Sequence, residues 1–192
     1  MANQGSLNEV DWSTIPAPVD DGGAAHLVGS AIPAVALPAT HGGMATLAAL
    51  TGRTVVFAYP RTGEPGKIAP VDDWDMIPGA RGCTPQTCSF RDLFAELKAA
   101  GADQVFGLST QSTEYQSEMA QRLHLPFPVL SDDKLVLAKA LKLPTMDVAG
   151  MTLLKRMALI IDDGRITHVF YPVFPPDRNA GDVLAWLKAN PR

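Results

Sequence analysis

Residues 82–92 read Gly82-Cys83-Thr84-Pro85-Gln86-Thr87-Cys88-Ser89-Phe90-Arg91-Asp92, and Leu93, Phe94 and Leu97 follow closely. Phe90, Leu93, Phe94 and Leu97 recur at i, i+3, i+4 and i+7, which is the spacing of one buried helical face. Thr84 suits the cap, Pro85 the first turn and Gly101 the C-terminal stop, so the pattern predicts a helix with Cys83 at its N-terminal edge. Upstream, Arg53-Thr54-Val55-Val56-Phe57-Ala58-Tyr59 is a β-branched and aromatic run stopped by Pro60, as expected of a buried central strand, with a short helical turn over Thr46–Leu50 before it. The stretch between them, Arg61 to Gly82, is Gly, Pro and acid, and is a loop of a length that usually carries function. Downstream the chain alternates: a strand over Gln104–Leu108, a helix over Ser112–Leu123, a strand over Phe127–Leu130 and a helix over Asp132–Leu141. Met157–Ile161 and Ile166–Tyr171 are joined by Asp162-Asp163-Gly164-Arg165, a hairpin signal, and Ala180–Ala189 reads as a terminal helix. The alternation predicts an α/β architecture, a mixed central sheet with helices on both faces.

A chain of 192 residues is sized for one domain with some decoration. Hydrophobic residues at 46% and charged residues at 19% exclude disordered and coiled-coil classes. Sixteen Lys and Arg against twenty Asp and Glu give a net charge of −4, so no basic field exists to attract nucleic acid. The first residues, Met1-Ala2-Asn3-Gln4-Gly5 with Glu9 and Asp11 beyond, have neither a basic nor an apolar leader region, and Ala31–Ala39 is short and broken by Pro33 and Pro38. The expected setting is the cytoplasm, away from membranes. Residues 1–28 hold no sustained period and read as an N-terminal arm.

The two cysteines, Cys83 and Cys88, point to redox chemistry in a reducing compartment rather than to a structural staple. A thiol attacks only as the thiolate, which a helix N-terminus and nearby cations favour, and Cys83 has that position. On an intact helix the two Cα atoms would lie about 8.6 Å apart, beyond the roughly 7 Å a disulfide spans. A Cys83–Cys88 disulfide therefore requires the first turns to unwind. The competing reading for Cys88 is that of an inert buried thiol. His26, His41, His124 and His168 lack ligand spacing, so no metal is expected.

The run Gly82–Asp92, with Tyr59-Pro60 upstream, Phe127-Pro128-Val129-Leu130-Ser131-Asp132 and Lys155-Arg156-Met157-Ala158-Leu159-Ile160-Ile161-Asp162 downstream, resembles the peroxiredoxin Q (bacterioferritin comigratory protein) group of peroxiredoxins. The resemblance runs from about Gly29 to the C-terminus and implies a thioredoxin-like fold over 29–192. It implies Cys83 as the peroxidatic cysteine, Cys88 as the resolving cysteine and Arg156 as the cation that stabilises the thiolate and polarises the peroxide. Pro60 and Thr62 are the expected substrate-binding residues. The family leads into its peroxidatic cysteine with a Pro, three residues, a Thr or Ser and two residues; here Ala80 stands three before Cys83, and about 67–82 looks inserted. Thr62 looping back, Thr84 or a backbone amide are the candidates to replace the missing hydroxyl, Arg81 is a candidate second cation, and Trp74 and Ile77 are candidates for an apolar lid.

The function expected from these residues is an atypical two-cysteine thiol peroxidase. It reduces hydrogen peroxide and organic hydroperoxides through a sulfenic acid and an intramolecular disulfide, is recycled by thioredoxin or a similar dithiol, and needs no cofactor. A monomer or weak homodimer is expected. The alternatives are a peroxide-sensing relay that passes oxidation to a partner, and a thioredoxin-type disulfide oxidoreductase, which the four residues between the cysteines disfavour.

Overall fold

The computed structural model describes residues 10–192. A mixed sheet of five strands lies at its centre, with residues 129–131, 104–109, 53–58, 157–162 and 165–170 side by side in that order. Strand β3 (Arg53–Ala58) is buried along its whole length, as its continuous apolar run predicts for a strand covered on both faces. It pairs in parallel with β4 (Gln104–Ser109), which pairs in parallel with β5 (Val129–Ser131). On the other side β8 (Met157–Asp162) runs antiparallel to β3, with Met157 opposite Ala58, and β9 (Arg165–Phe170) closes the hairpin. The connecting turn uses Asp163 and Gly164 at φ of 47° and 77°, the double left-handed geometry that the Asp-Gly pair signals.

One face of the sheet carries α1 (Cys83–Asp92), α2 (Phe94–Ala99), α3 (Thr113–Arg122) and α5 (Asn179–Ala189), gathered around Val55, Phe57, Tyr59, Phe90, Met119 and Val183. Phe57 of β3 stacks on Phe90 of α1 at 4.1 Å between ring centres, so the central strand grips this helix directly. The opposite face is covered by α4 (Val136–Leu141), by Ala24 and Leu27 from the N-terminal segment, and by Leu37 of β1. Helices on both faces of a mixed sheet are what the alternation predicts.

Local boundaries differ from the sequence reading in three ways. The single helix expected from Thr84 towards Gly101 is two, with Leu93 (φ −98°, ψ 10°) relaxing the backbone between them, and the second ends as expected at Gly101, whose N–H reaches Lys98 O while that of Ala102 reaches Leu97 O. Helix α4 starts at Val136 rather than Asp132, because the buried Asp132 carboxylate reaches forward to cap the N–H groups of Leu137 (3.1 Å) and Ala138 (2.7 Å). Two hairpins escaped the sequence reading: β1 (Ala36–Pro38) with β2 (Met44–Thr46), and β6 (Thr145–Val148) with β7 (Met151–Leu154). The first has very short strands, one ending in proline. The second turns on Ala149 at φ 51°, where alanine hides the usual turn signature.

Leu27 is fully buried and Ala24 is 5% exposed, so the segment ahead of residue 29 adds to the same core. Leu27→Ala is expected to cost about 2–5 kcal/mol of unfolding free energy, read from denaturant midpoints. A change below about 0.5 kcal/mol would mean that the segment contributes no packing.

Candidate active site

Because β8 pairs with β3 through Met157 and Ala58, the residue before Met157 lies beside the end of the central strand, where the chain passes through Tyr59 and Pro60. That residue is Arg156. Helix α1 begins at the same end, and Gly82 is its cap with φ 104°, ψ 16°, in place of the expected Thr84. A Cβ at Gly82 would stand 2.5 Å from Pro176 Cγ and 2.8 Å from Trp12 Cη2. Only glycine meets both the backbone angle and the space, which is why the capping residue carries no side chain.

The guanidinium of Arg156 is 2% exposed and donates widely. Nη2 reaches Cys83 Sγ at 3.3 Å and the carbonyls of Gly79, Ala80 and Arg81 at 3.1, 3.2 and 3.0 Å. Nη1 donates to Gln86 Oε1 at 2.5 Å, and Gln86 Nε2 in turn donates to Asn179 Oδ1 at 2.9 Å. Arg156 Nε is buried without an acceptor among the described residues. A buried cation costs several kcal/mol unless its donors are met, so the carbonyls and Gln86 are what make this placement tolerable. Cys83 is 3% exposed, and its thiol also donates to Ala80 O at 3.5 Å. Burial pushes the Tyr59 phenol well above its usual range; Ser109 opposes this and the nearby Cys83 charge adds to it, so Tyr59 stays protonated.

Cys88 lies on the same helix, half-buried and unbridged. Burial pushes its thiol up; Arg91 and Arg122 pull the other way and Asp92 adds to the rise. Pro60 is buried two residues beyond the end of β3. Thr62 is 1% exposed, and its hydroxyl and backbone N–H both donate to Gln111 Oε1, at 3.2 and 3.0 Å. The side chain of Arg81 pairs with Asp75 at the surface, while only its carbonyl meets Arg156. Trp74 and the partner loop residues Lys67 and Ile68 line a cleft of about 470 Å³ with Thr62 and Tyr115, away from Cys83. A second cleft, of about 450 Å³, lies beside Arg156 between Pro18, Gly79, Met146 and Tyr171. No cluster of His, Cys, Asp and Glu suited to a metal occurs among the described residues.

The geometry thus brings Cys83, Arg156 and the end of the inserted loop together, with Cys88 further along the helix and Thr62 tied to Gln111. Gln86 and Asn179 were missed by the sequence reading. Gln86 shares the Cys83 face at i+3, a weak signal, whereas Asn179 is 93 positions away and gives none.

The Redoxin family description matches residues 27–184. The chain belongs to the redoxin family. Within it the chain falls in the peroxiredoxin Q and Bcp group, whose members are thiol peroxidases. It is 33% identical over 165 residues to peroxiredoxin Bcp of Escherichia coli strain K12, covering 83% of this chain and 94% of that one. It is 31% identical over 163 residues to chloroplastic peroxiredoxin Q of Oryza sativa subsp. japonica, covering 84% of this chain and 66% of the rice protein, so it spans about two thirds of that relative's length. The crystal structure of peroxidoxin BcpB from Mycobacterium tuberculosis superposes with a TM-score of 0.67 at 26% identity, over 84% of this chain and 96% of that one. The thioredoxin-like redoxin fold expected from Gly82–Asp92 is therefore present.

Two outcomes follow for this redoxin. Arg156→Ala should slow peroxide consumption by about 10²–10³-fold, as removal of one buried donor to a reacting centre does; an unchanged second-order rate would make Arg156 a structural residue. Because burial favours the Cys88 thiol over its thiolate, disulfide formation after Cys83 oxidation should quicken as pH rises, by up to about tenfold per unit below the Cys88 pKa. Rapid-quench mass spectrometry across pH checks this, and a flat profile would show that Cys88 ionisation does not limit the step.

Proposed function

We propose that this chain reduces hydrogen peroxide and organic hydroperoxides with Cys83 as the peroxidatic nucleophile. The observation that carries the reading is the 3.3 Å contact between Arg156 Nη2 and Cys83 Sγ at the N-terminal end of α1. The thiolate sulfur attacks one peroxide oxygen, the O–O bond breaks, and the leaving oxygen takes a proton to depart as water or alcohol; Cys83 becomes a sulfenic acid. Developing negative charge on the leaving oxygen calls for donors fixed in advance. Arg156 supplies them, with its unpaired Nε in reserve, together with the Cys83 and Thr84 amides that the helix geometry leaves without intrahelical acceptors. Thr62 would reach the peroxide only by exchanging its bond to Gln111, so Thr62→Val tests its share separately.

In the second step the Cys88 thiolate attacks the Cys83 sulfenic sulfur: the S–S bond forms, the S–O bond breaks, and the departing hydroxide takes a proton to leave as water. Both cysteines lie within one regular helix, so this step requires the first turns of α1 to unwind. Thioredoxin or a similar dithiol then reduces the disulfide by exchange. No helix among the described residues is long and apolar enough to cross a membrane, and we place the protein in the cytoplasm, as a monomer or weak homodimer without a nucleic-acid partner, in keeping with its net charge of −4.

Cys83→Ser is expected to abolish peroxide consumption, since a hydroxyl offers no comparable nucleophile at neutral pH. Cys88→Ser should keep the first oxidation, lose the disulfide, and leave Cys83 open to trapping as the sulfenic acid and to sulfinic oxidation. Turnover retained by Cys83→Ser would sink the mechanism. Undiminished thioredoxin-driven turnover by Cys88→Ser would remove Cys88 as the resolving group.

A further inference from the structure

The first turn of α1 starts from Gly82, and Gly82 is covered from two sides. Pro176, in a short 3₁₀ turn over Pro176–Arg178 that leads into α5, is buried and belongs to the scaffold. Trp12 is different. It comes from the N-terminal arm, outside the residues 27–184 that the family shares, and it is only half-buried. Its ring edge meets Phe174, with centroids 6.1 Å apart, and its indole N–H donates to Asp177 Oδ2 at 2.9 Å. These contacts seat the indole so close to Gly82 that an added Cβ there would collide with Cη2 at 2.8 Å. Further along, the arm is held independently: Asp21 accepts from Lys155 at 2.6 Å and from Tyr171 at 2.7 Å, and Leu27 is in the core.

From this arrangement we infer that Trp12 is a positioning residue of the peroxidase cycle: by packing on Gly82 it holds the Cys83 end of α1 folded and so slows conversion of the sulfenic acid to the Cys83–Cys88 disulfide. The inference rests on the proposed function. Gly82 stands against both Pro176 and Trp12, and Trp12, half-buried where Pro176 is buried, is the more exposed of the two. Phe174 and Asp177 lie outside α1 and hold the indole over Gly82, so the first turn has to leave that packing in order to unwind. Trp12 therefore favours the form in which Cys83 faces Arg156 and disfavours the form that Cys88 can reach. The same delay leaves the sulfenic acid exposed to a second peroxide, whose oxygen transfer gives the sulfinic acid and another water or alcohol. Trp12 thus sets the balance between resolution and over-oxidation.

The test separates the two steps. Reduced wild-type protein, Trp12→Ala and Trp12→Phe are mixed with one equivalent of hydrogen peroxide and quenched over time, and mass spectrometry follows the sulfenic acid and the disulfide. A second series finds the peroxide excess at which half of Cys83 becomes sulfinic. Trp12→Ala should form the disulfide about three- to tenfold faster, the scale of one aromatic contact and one hydrogen bond, and should need correspondingly more peroxide for over-oxidation. Its first oxidation should change by less than about twofold. Trp12→Phe, which loses the bond to Asp177, should shift the same way by less, and it decides the matter if the alanine variant does not fold. Disulfide formation no faster than wild type in a folded variant, with Cys83 still oxidised first, overturns the inference and leaves the peroxidase reading intact. Failure of wild-type Cys83 to oxidise overturns both.

Discussion

A guanidinium taken out of water is the constraint around which this end of the molecule is arranged. Arg156 is 2% exposed, and its charge is tolerable only because backbone carbonyls, the Gln86 amide and the Cys83 sulfur surround it. Each of those partners has to be delivered by a different part of the chain. The β3–β8 register brings Arg156 to the end of the central strand, Phe57 stacked on Phe90 brings α1, and the inserted loop returns its last carbonyls to the same point. The cation in turn orders the loop that would otherwise expose three carbonyls.

The same arrangement carries a built-in opposition. A thiolate held against a cation at a helix terminus is well placed for attack on an electrophile, yet the helix that provides the terminus also keeps the second cysteine out of reach. A redoxin that resolves its sulfenic acid within one helix must give up the first geometry to gain the second. The hydrogen bonds of Gln86 to Arg156 and Asn179, and of Thr87 Oγ1 to Cys83 O at 2.8 Å, hold the first turn in the folded geometry. The cover on Gly82 belongs to the same set.

The loop before Cys83 meets the sulfur through its backbone. Where the family places a hydroxyl three residues ahead, this chain has Ala80, and it is the Ala80 carbonyl that meets both Cys83 and Arg156, at 3.5 and 3.2 Å. A carbonyl accepts but cannot donate. In the proposed reaction, donation towards a substrate oxygen falls to Arg156 and the helix amides, and the loop contributes backbone carbonyls to the Arg156 guanidinium.

Period and turn chemistry in the sequence were sufficient for the central strand, for α1 with Cys83 at its start, for the helix α3, and for the Asp163-Gly164 hairpin, because each of these is specified by neighbours within a few residues. The resemblance around Gly82–Asp92 supplied the thioredoxin-like topology and the pairing of Cys83 with Arg156. Tertiary structure alone decided the rest. Gly82 caps α1 because Trp12 and Pro176, both distant in sequence, occupy the space of a side chain. Asn179 supports Gln86 across 93 positions, and Thr62 faces Gln111 rather than Cys83, since a hydroxyl in a buried loop takes the nearest acceptor the fold presents. The hairpin at Ala149 formed against local preference because strands β6 and β7, once paired, leave that residue no other backbone angle. Local pattern thus named the elements and the nucleophile, and long-range packing chose what surrounds it.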